Sequence, residues 1–140
     1  AERGAVIGTA PTLFKEPPMG LDMYAYTTAT PLSSDVDFAD PPDFQRIHYW
    51  RKHPDLHGWM QRLYFKKGGA ADSFNCVNLA LTAGDLDRLE SDIRNRFLPD
   101  TSGFFFGDSD GSEAEDDLGF ITLARAALAR GLAVFYSSWW

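Results

Sequence analysis

Hydrophobic and polar residues alternate near the start of the chain, where Leu21, Met23 and Ala25 are separated by polar or aromatic side chains. A period of two is typical of a half-buried strand, so this pattern predicts a strand over residues 21–28. Over residues 74–81, both of the alternating sets of side chains contain apolar as well as polar residues, which predicts a strand that is covered on both faces. The aromatic residues of 132–140 predict a last strand, and the proline- and aspartate-rich segment 29–42 predicts a polar loop.

Apolar residues recur at helical spacing in four other segments. The first pattern predicts a helix over 44–53, and the second predicts a helix from Pro54 to the Gly68-Gly69 pair. These two helices would form a short helical hairpin. The first helix would place Phe44, Ile47 and Arg51 on its inward side.

Polar residues predict where the other two helices begin. Thr82 followed by Asp85 predicts a capping box, and Ser112 predicts the cap of an acid-led helix that ends near Ala129, before Gly131. The residues expected to face the core from the last three helices are Leu56, Met60, Leu63, Tyr64, Leu86, Leu89, Ile93, Phe97, Leu118, Ile121, Ala124 and Leu128.

This set of elements predicts an α+β fold, with a small three- to four-stranded mixed or antiparallel sheet packed against about four helices. We expect a single domain over residues 19–140. Residues 1–18 show neither the period of a strand nor that of a helix, and they end in Pro17-Pro18. We therefore interpret them as a leader outside the domain, flexible or not native to it. The alternative is a tail that packs through Val6, Ile7, Leu13 and Phe14.

Composition limits the compartment and the cofactors. With Cys76 as the only cysteine, the chain forms no intramolecular disulfide and no zinc site of the CxxC type. No apolar run reaches the roughly 18 residues that a membrane span needs. We therefore expect a cytoplasmic protein with no membrane partner, and no motif predicts a cofactor.

Charge is divided unevenly along a chain whose net charge is -7. Residues 46–67 hold six of the 13 lysines and arginines and all three histidines, against one acidic residue, Asp55. This division predicts either that the basic segment packs on the protein's own acidic helices or that it guides a charged partner. Direct binding of nucleic acid is not expected of so acidic a chain.

Arg51 is the residue that most needs a partner, because a bare guanidinium on an inward face is costly. The partner is either a carboxylate from 85–92 or 108–117, or an anionic ligand held by the planar arginine fork. In the second case Arg51 and Lys52 would hold the charge, Trp50 or Trp59 would stack on a ring, and His57 would be a general base.

Other candidates for chemistry are weaker. Cys76 lies inside a predicted strand, where a cysteine is usually inert, and the catalytic alternative pairs it with His57. His48 and His53 have no acidic or cysteine partner at ligand spacing, which argues against zinc. Six carboxylates lie between residues 107 and 117, but the glycine spacing does not fit a calcium loop, which leaves Asp108 and Asp110 as weak metal candidates.

Three stretches occur in a familiar order: MGLDMYAY from residue 19, YWRKHPDLHGWM with FNCV after it, and LPDTSGFFFG followed by an acidic helix and YSSWW. Together they resemble a family of small bacterial and bacteriophage proteins of unknown function, which often begin MGLDMY and are sometimes labelled phosphoglycerate kinase. That label does not fit, because the enzyme is a large two-domain protein and this chain has no nucleotide-binding glycine loop.

The resemblance spans about residues 19–140 and implies a natural start near Met19. It also implies that certain residues belong to family motifs: Trp50, Arg51, Lys52, His57, Trp59, Asn75, Cys76, Gly103, Phe104, Phe105, Phe106 and Gly107. It implies no reaction, but it adds Asn75 to the candidate ligand-binding residues.

We expect a non-enzymatic accessory protein of phage or prophage type that binds a host protein partner. The main alternative is a protein or enzyme that binds a small anionic ligand, a nucleotide or a phosphorylated metabolite, through Arg51, Lys52 and His57. A third possibility is a homodimer sealed by SSWW, because adjacent exposed tryptophans favour association.

Overall fold

A computed structural model describes residues 20–103 and 107–140; the predicted leader, 1–18, and the phenylalanines 104–106 lie outside the described residues. The elements in chain order are β1 Asp22–Thr28, β2 Gln45–Arg51, α1 Pro54–Lys66, β3 Leu79–Leu81, α2 Ala83–Arg94, α3 Ala114–Ala129 and β4 Ala133–Trp139. The predicted α+β class is confirmed, with one antiparallel sheet and, in the described ranges, three helices instead of about four.

The sheet has the strand order β2-β1-β4-β3, and every pair is antiparallel. Its two central strands are therefore the first and the last of the strands in the described part of the chain. The short edge strand β3 is covered by the loop before β2, through a bridge between Val36 and Leu79 and a hydrogen bond from the Ala80 N–H to the Asp35 carbonyl. The other edge of the sheet is β2.

The three helices cover one face of the sheet, and the main core lies between them. Strand alternation sends Met23, Ala25, Trp50, Val134 and Tyr136 to this face. The helical stripes predicted from the sequence are buried or half-buried here as expected, apart from Phe97. Phe97 follows the end of α2 and is exposed.

A smaller cluster lies on the opposite face of the sheet. Tyr26 and Phe135 form its centre, and the loop between β1 and β2 covers them with Leu32, Phe38 and Phe44. This loop packs over β1, β4 and β3, while Tyr49 and Arg51 of β2 on the same face are exposed. The loop that the sequence predicted to be merely polar thus supplies the second apolar cluster.

The prediction of a helix over 44–53 is wrong, because residues 45–51 form β2. Across the pair, His48 lies opposite Ala25 and Arg46 lies opposite Tyr26, so Ile47 is an extra residue in a β-bulge. A bulge interrupts the period of two. The interrupted pattern imitates helical spacing, and the predicted helical hairpin is instead a strand followed by α1.

Two further boundaries differ from prediction. Only Leu79–Leu81 of the predicted strand 74–81 is a strand, because the chain turns at Cys76, whose φ is 60°. Ser112 does not cap α3; its hydroxyl donates to Asp110 instead. The predicted capping box is confirmed, since the Thr82 hydroxyl accepts from the Asp85 N–H while the Asp85 carboxylate accepts from the Thr82 N–H.

Candidate functional site

The side chains predicted to bind a ligand do not converge on one pocket. Trp50 is buried on the helical face, where its indole N–H donates to Asp117 at 3.0 Å. Trp59 points from α1 towards α2 and donates to Asp92 at 2.8 Å. Both tryptophans therefore act as anchors between elements.

Arg51 lies on the opposite face of the sheet, at the end of β2. Its guanidinium donates to the Asp22 carboxylate at 3.1 Å, and its side chain is 44% exposed. The inward orientation predicted for Arg51 is wrong, because that prediction assumed a helix. Arg51 does bind a carboxylate, but the predicted partners in 85–92 and 108–117 are wrong, because the carboxylate is that of Asp22 in β1.

His57 lies in the core of the protein. Its Nδ1 is 2.8 Å from the Tyr136 hydroxyl, and the rings of Phe74 and Trp140 pack around it. Burial lowers the pKa of His57 to about 3, so the imidazole is neutral across the physiological range. A base this weak, enclosed by aromatic rings, is poorly suited to accept a proton from a bound substrate.

Cys76 and Asn75 lie in the turn before β3, so the prediction that Cys76 is within a strand is wrong. Cys76 is exposed, while the Asn75 side chain donates to the Trp140 carbonyl at 2.8 Å and accepts from the Trp140 N–H at 3.0 Å. Lys52 lies in the turn after β2 with a φ of 58°, and a Cβ added at Gly107 would lie 2.9 Å from its Cβ. Asn75 thus lies beside the Trp140 backbone, and Lys52 lies beside Gly107.

The structure instead assembles a patch of Tyr24, Arg46, Tyr49 and Arg51 around the buried Asp22. We call this patch the open sheet face, after the exposed side chains of Tyr49 and Arg51. The Arg46 guanidinium lies 6.0 Å from the ring centre of Tyr24 and 5.5 Å from that of Tyr49, and the two ring centres are 5.4 Å apart. Both distances from the guanidinium to a ring centre lie within the range of a cation–π contact. The patch thus combines aromatic area with positive charge.

Asp22 holds two members of the open sheet face in place. It accepts a hydrogen bond from the Tyr49 hydroxyl at 2.6 Å as well as the one from Arg51. Burial, and then the hydrogen bond to the Asp22 carboxylate, raise the pKa of Tyr49, so the hydroxyl stays protonated. Tyr49 nevertheless presents much of its ring to solvent, with 41% of the residue exposed.

The basic segment also packs on the protein's own acidic helices, as one of the two interpretations of the charge division predicted. Ion pairs or hydrogen-bonded pairs join His48 to Asp116 at 2.9 Å, His53 to Asp117 at 2.8 Å and Lys67 to Asp85 at 2.6 Å. The acidic partners come from α3 and α2. Sequence spacing could not reveal these pairs, because their members are far apart in the chain.

A cavity of about 570 Å³ lies beside the pair of His53 and Asp117. It is bounded by the turn into α1, the end of α2, the start of α3 and the loop before α3. Its apolar walls include Ile93, Leu98 and Leu118. Neither His53 nor Asp117 was among the predicted site residues, although both lie in the segments with unusual charge.

The weak metal candidates do not form a metal site in the described part of the chain, where no group of three or more His, Cys, Asp or Glu side chains is arranged to hold a metal ion. Asp108 is exposed, and Asp110 accepts hydrogen bonds from the backbone and hydroxyl of Ser112. Within residues 20–103 and 107–140, no helix is long and apolar enough to cross a membrane.

The fold defines the class of protein: a small α+β domain whose antiparallel sheet carries helices on one face and a patch of aromatic and basic side chains on the other. No protein-family model, curated protein or solved structure matches the chain.

Proposed function

We propose that this chain is a binding protein for a protein partner and that the open sheet face is its binding surface. The observation that carries the proposal is the preorganised cluster of Tyr24, Arg46, Tyr49 and Arg51. Tyrosine and arginine are enriched among the residues that dominate binding energy at protein interfaces. Such side chains cost less entropy to bind when they are already held in place, as Tyr49 and Arg51 are by Asp22.

Charge indicates what kind of surface the partner presents. The chain as a whole has a net charge of -7, but Arg46 and Arg51 make the open sheet face locally basic. An acidic patch on the partner would complement it and would accelerate encounter at low salt. The resemblance to small bacterial and bacteriophage proteins supports a host protein as the partner and an accessory role in the cytoplasm.

The alternative of a small anionic ligand held by Arg51, Lys52 and His57 has less support. Arg51 and His57 lie on opposite faces of the sheet, and the Arg51 guanidinium already binds the Asp22 carboxylate. A ligand would have to displace that pair without any help from His57.

The proposal is tested by comparing three versions of the protein in affinity capture from bacterial lysate. The first is wild type, the second carries Arg46→Ala with Tyr49→Ala, and the third carries Arg125→Ala. Arg125 is a matched control, because it is a partly exposed arginine on α3 that pairs with Asp87 and Glu90, away from the open sheet face.

We expect one partner to be captured by wild type and by the Arg125 variant but not by the double variant. With the purified partner, the double variant should bind at least about 30-fold more weakly, which is the loss of one hot spot of about 2 kcal/mol. Association of wild type should also slow as salt is raised. If all three versions capture the same proteins equally, the open sheet face is not the binding surface.

A further inference from the structure

We propose that Ser109, His53 and Asp117 form a nucleophilic site that hydrolyses carboxylic esters with a short apolar acyl group. The site lies on the helical side of the molecule and does not depend on the open sheet face. Ser109 Oγ lies 2.7 Å from His53 Nδ1, and His53 Nε2 lies 2.8 Å from an Asp117 oxygen. A serine, a histidine and a carboxylate are thus connected through the two nitrogens of one imidazole.

The surroundings of Asp117 set the direction of this hydrogen-bond chain. Asp117 is 1% exposed, and its other oxygen accepts from the Trp50 indole, which can only donate. An ionised carboxylate only accepts, so neutral His53 carries its proton on Nε2 and leaves the Nδ1 lone pair facing the serine hydroxyl. Ser109 then donates to His53, which is the direction needed to activate a serine nucleophile.

The first turn of α1 adds a donor beside the serine oxygen. The Asp55 N–H lies 3.1 Å from Ser109 Oγ, and it belongs to the positive end of the helix dipole. This N–H therefore orients the serine hydroxyl; it is not an oxyanion hole, because the charge of the tetrahedral intermediate develops on the carbonyl oxygen of the ester and not on Oγ. The same N–H also suits a purely structural role, in which Ser109 only caps α1, and the experiment below separates the two.

The cavity beside the three residues indicates the class of substrate. Ser109, His53 and Asp117 contribute to its wall. One part of the rest is apolar and another part is charged; the apolar residues are Ile93, Leu98, Ala114 and Leu118, and the charged ones are Asp55, Arg94, Arg96, Asp110 and Glu113. Its volume of about 570 Å³ is within the usual range for small-molecule sites, roughly 300–1,000 Å³. The apolar part of this wall suits an ester whose acyl chain is short and uncharged.

The reaction needs no reagent besides the ester and water. Ser109 Oγ bonds to the carbonyl carbon while its proton passes to His53 Nδ1, and collapse of the tetrahedral intermediate breaks the bond to the alcohol oxygen, which takes that proton. Water then attacks the acyl-serine, gives a proton to His53 Nδ1, and the carboxylic acid leaves as the proton returns to Ser109 Oγ. Asp117 acts throughout as a positioning residue that fixes the imidazole tautomer.

The test uses an alkyl fluorophosphonate, which bonds covalently to activated serines, and nitrophenyl esters of increasing acyl length. We expect the probe to label Ser109 in the wild-type chain, as mapped by mass spectrometry, far faster than the exposed Ser102 and Ser112 of the same region. Ser109→Ala should abolish labelling and ester turnover, while Ser112→Ala should leave both unchanged.

Asp117→Asn distinguishes activation from structure. An asparagine can still accept from Trp50, but its amide donates to His53 Nε2, which forces the proton onto Nδ1 and removes the base. Labelling should then fall by about 10⁴-fold, while the melting temperature and circular dichroism stay close to wild type.

Two results would overturn the proposal: wild-type Ser109 that reacts no faster than Ser102 and Ser112, or labelling that persists in folded Asp117→Asn. If that variant unfolds, the rate at which the probe labels Ser109 in the wild-type chain, compared with Ser102 and Ser112, decides whether Ser109 is an activated nucleophile. Loss of partner capture in the sheet-face variants would leave these results unchanged, so the two proposals fail separately.

Discussion

His57 shows how burial sets the chemistry of a single residue. The imidazole is enclosed by the core and has a pKa of about 3, whereas in the unfolded chain it would titrate near 6.5. Between pH 6.5 and 3, His57 therefore binds a proton in the unfolded state but not in the folded state. The stability associated with His57 is complete above pH 6.5 and is lost progressively as the pH falls from 6.5 towards 3.

We predict that the free energy of unfolding falls by up to about 1.4 kcal/mol per pH unit from this residue alone. The window from pH 6.5 to 5 is the most informative, since most carboxylates remain ionised there. When the free energy of unfolding from urea titrations is plotted against pH, His57→Gln should reduce the slope by the equivalent of close to one proton. His48→Gln is the control, because His48 lies near the surface in its pair with Asp116. An unchanged slope in His57→Gln would mean that His57 is charged in the fold.

Residue-level prediction from sequence succeeded where the partner is local. Thr82 and Asp85 are three residues apart, and their capping box is present. It failed where the partner is distant: Arg51 binds Asp22, and His53 lies between Ser109 and Asp117. Periodicity carries information about faces of an element, but not about which distant side chain meets that face.

Among the elements, α1 contains a glycine that is enclosed by its neighbours. Gly58 faces Thr101, and a Cβ added at this position would lie 1.9 Å from the Thr101 hydroxyl oxygen. Gly119 in α3 is the opposite case, because an added Cβ would meet nothing within 4 Å. The two positions allow helix propensity to be separated from packing.

We predict opposite signs for the same substitution at these two glycines. Gly119→Ala should stabilise the protein by up to about 1 kcal/mol through helix propensity, while Gly58→Ala should destabilise it by about 1–3 kcal/mol because it overpacks the contact with Thr101. Chemical denaturation of both variants measures the difference. A gain in stability at Gly58 would show that the segment around Thr101 moves aside freely.

Helices were predictable from sequence in this protein, and strands were less so. The stripes of α1 and α2 repeat over three turns, and they are buried as expected. β2 was mistaken for a helix because one bulged residue, Ile47, shifts the alternation. β3 is three residues long, too short for a pattern to mark its ends.

On the scale of the whole molecule, the C-terminal end is joined to the turn before β3. Asn75 exchanges two hydrogen bonds with the Trp140 backbone, and the Trp140 indole donates to the Phe74 carbonyl at 2.8 Å. These contacts use Trp140 within its own chain, which weakens the argument that SSWW seals a homodimer.

We predict that Asn75→Ala lowers the free energy of unfolding by about 1–3 kcal/mol, since two hydrogen bonds are lost and each contributes about 0.5–1.5 kcal/mol. Asn95→Ala is the control: its amide bonds only to Ser91, one turn away, and its effect should stay within about 0.5 kcal/mol. Thermal melts at several protein concentrations give a second readout. A melting temperature that rises with protein concentration would support the homodimer hypothesis.

The strand order has a consequence for how the protein is made. Of the described strands, β1 is synthesised first, but its neighbour in the centre of the sheet, β4, is synthesised last. Until β4 has left the ribosome, β3 has no strand to join and β1 can pair only with β2. The sheet therefore closes only after β4 has been synthesised, and closure must bring together strands that are far apart in the sequence, a step that slows folding. A nascent or truncated chain without β4 should be an unfolded target for proteases and chaperones.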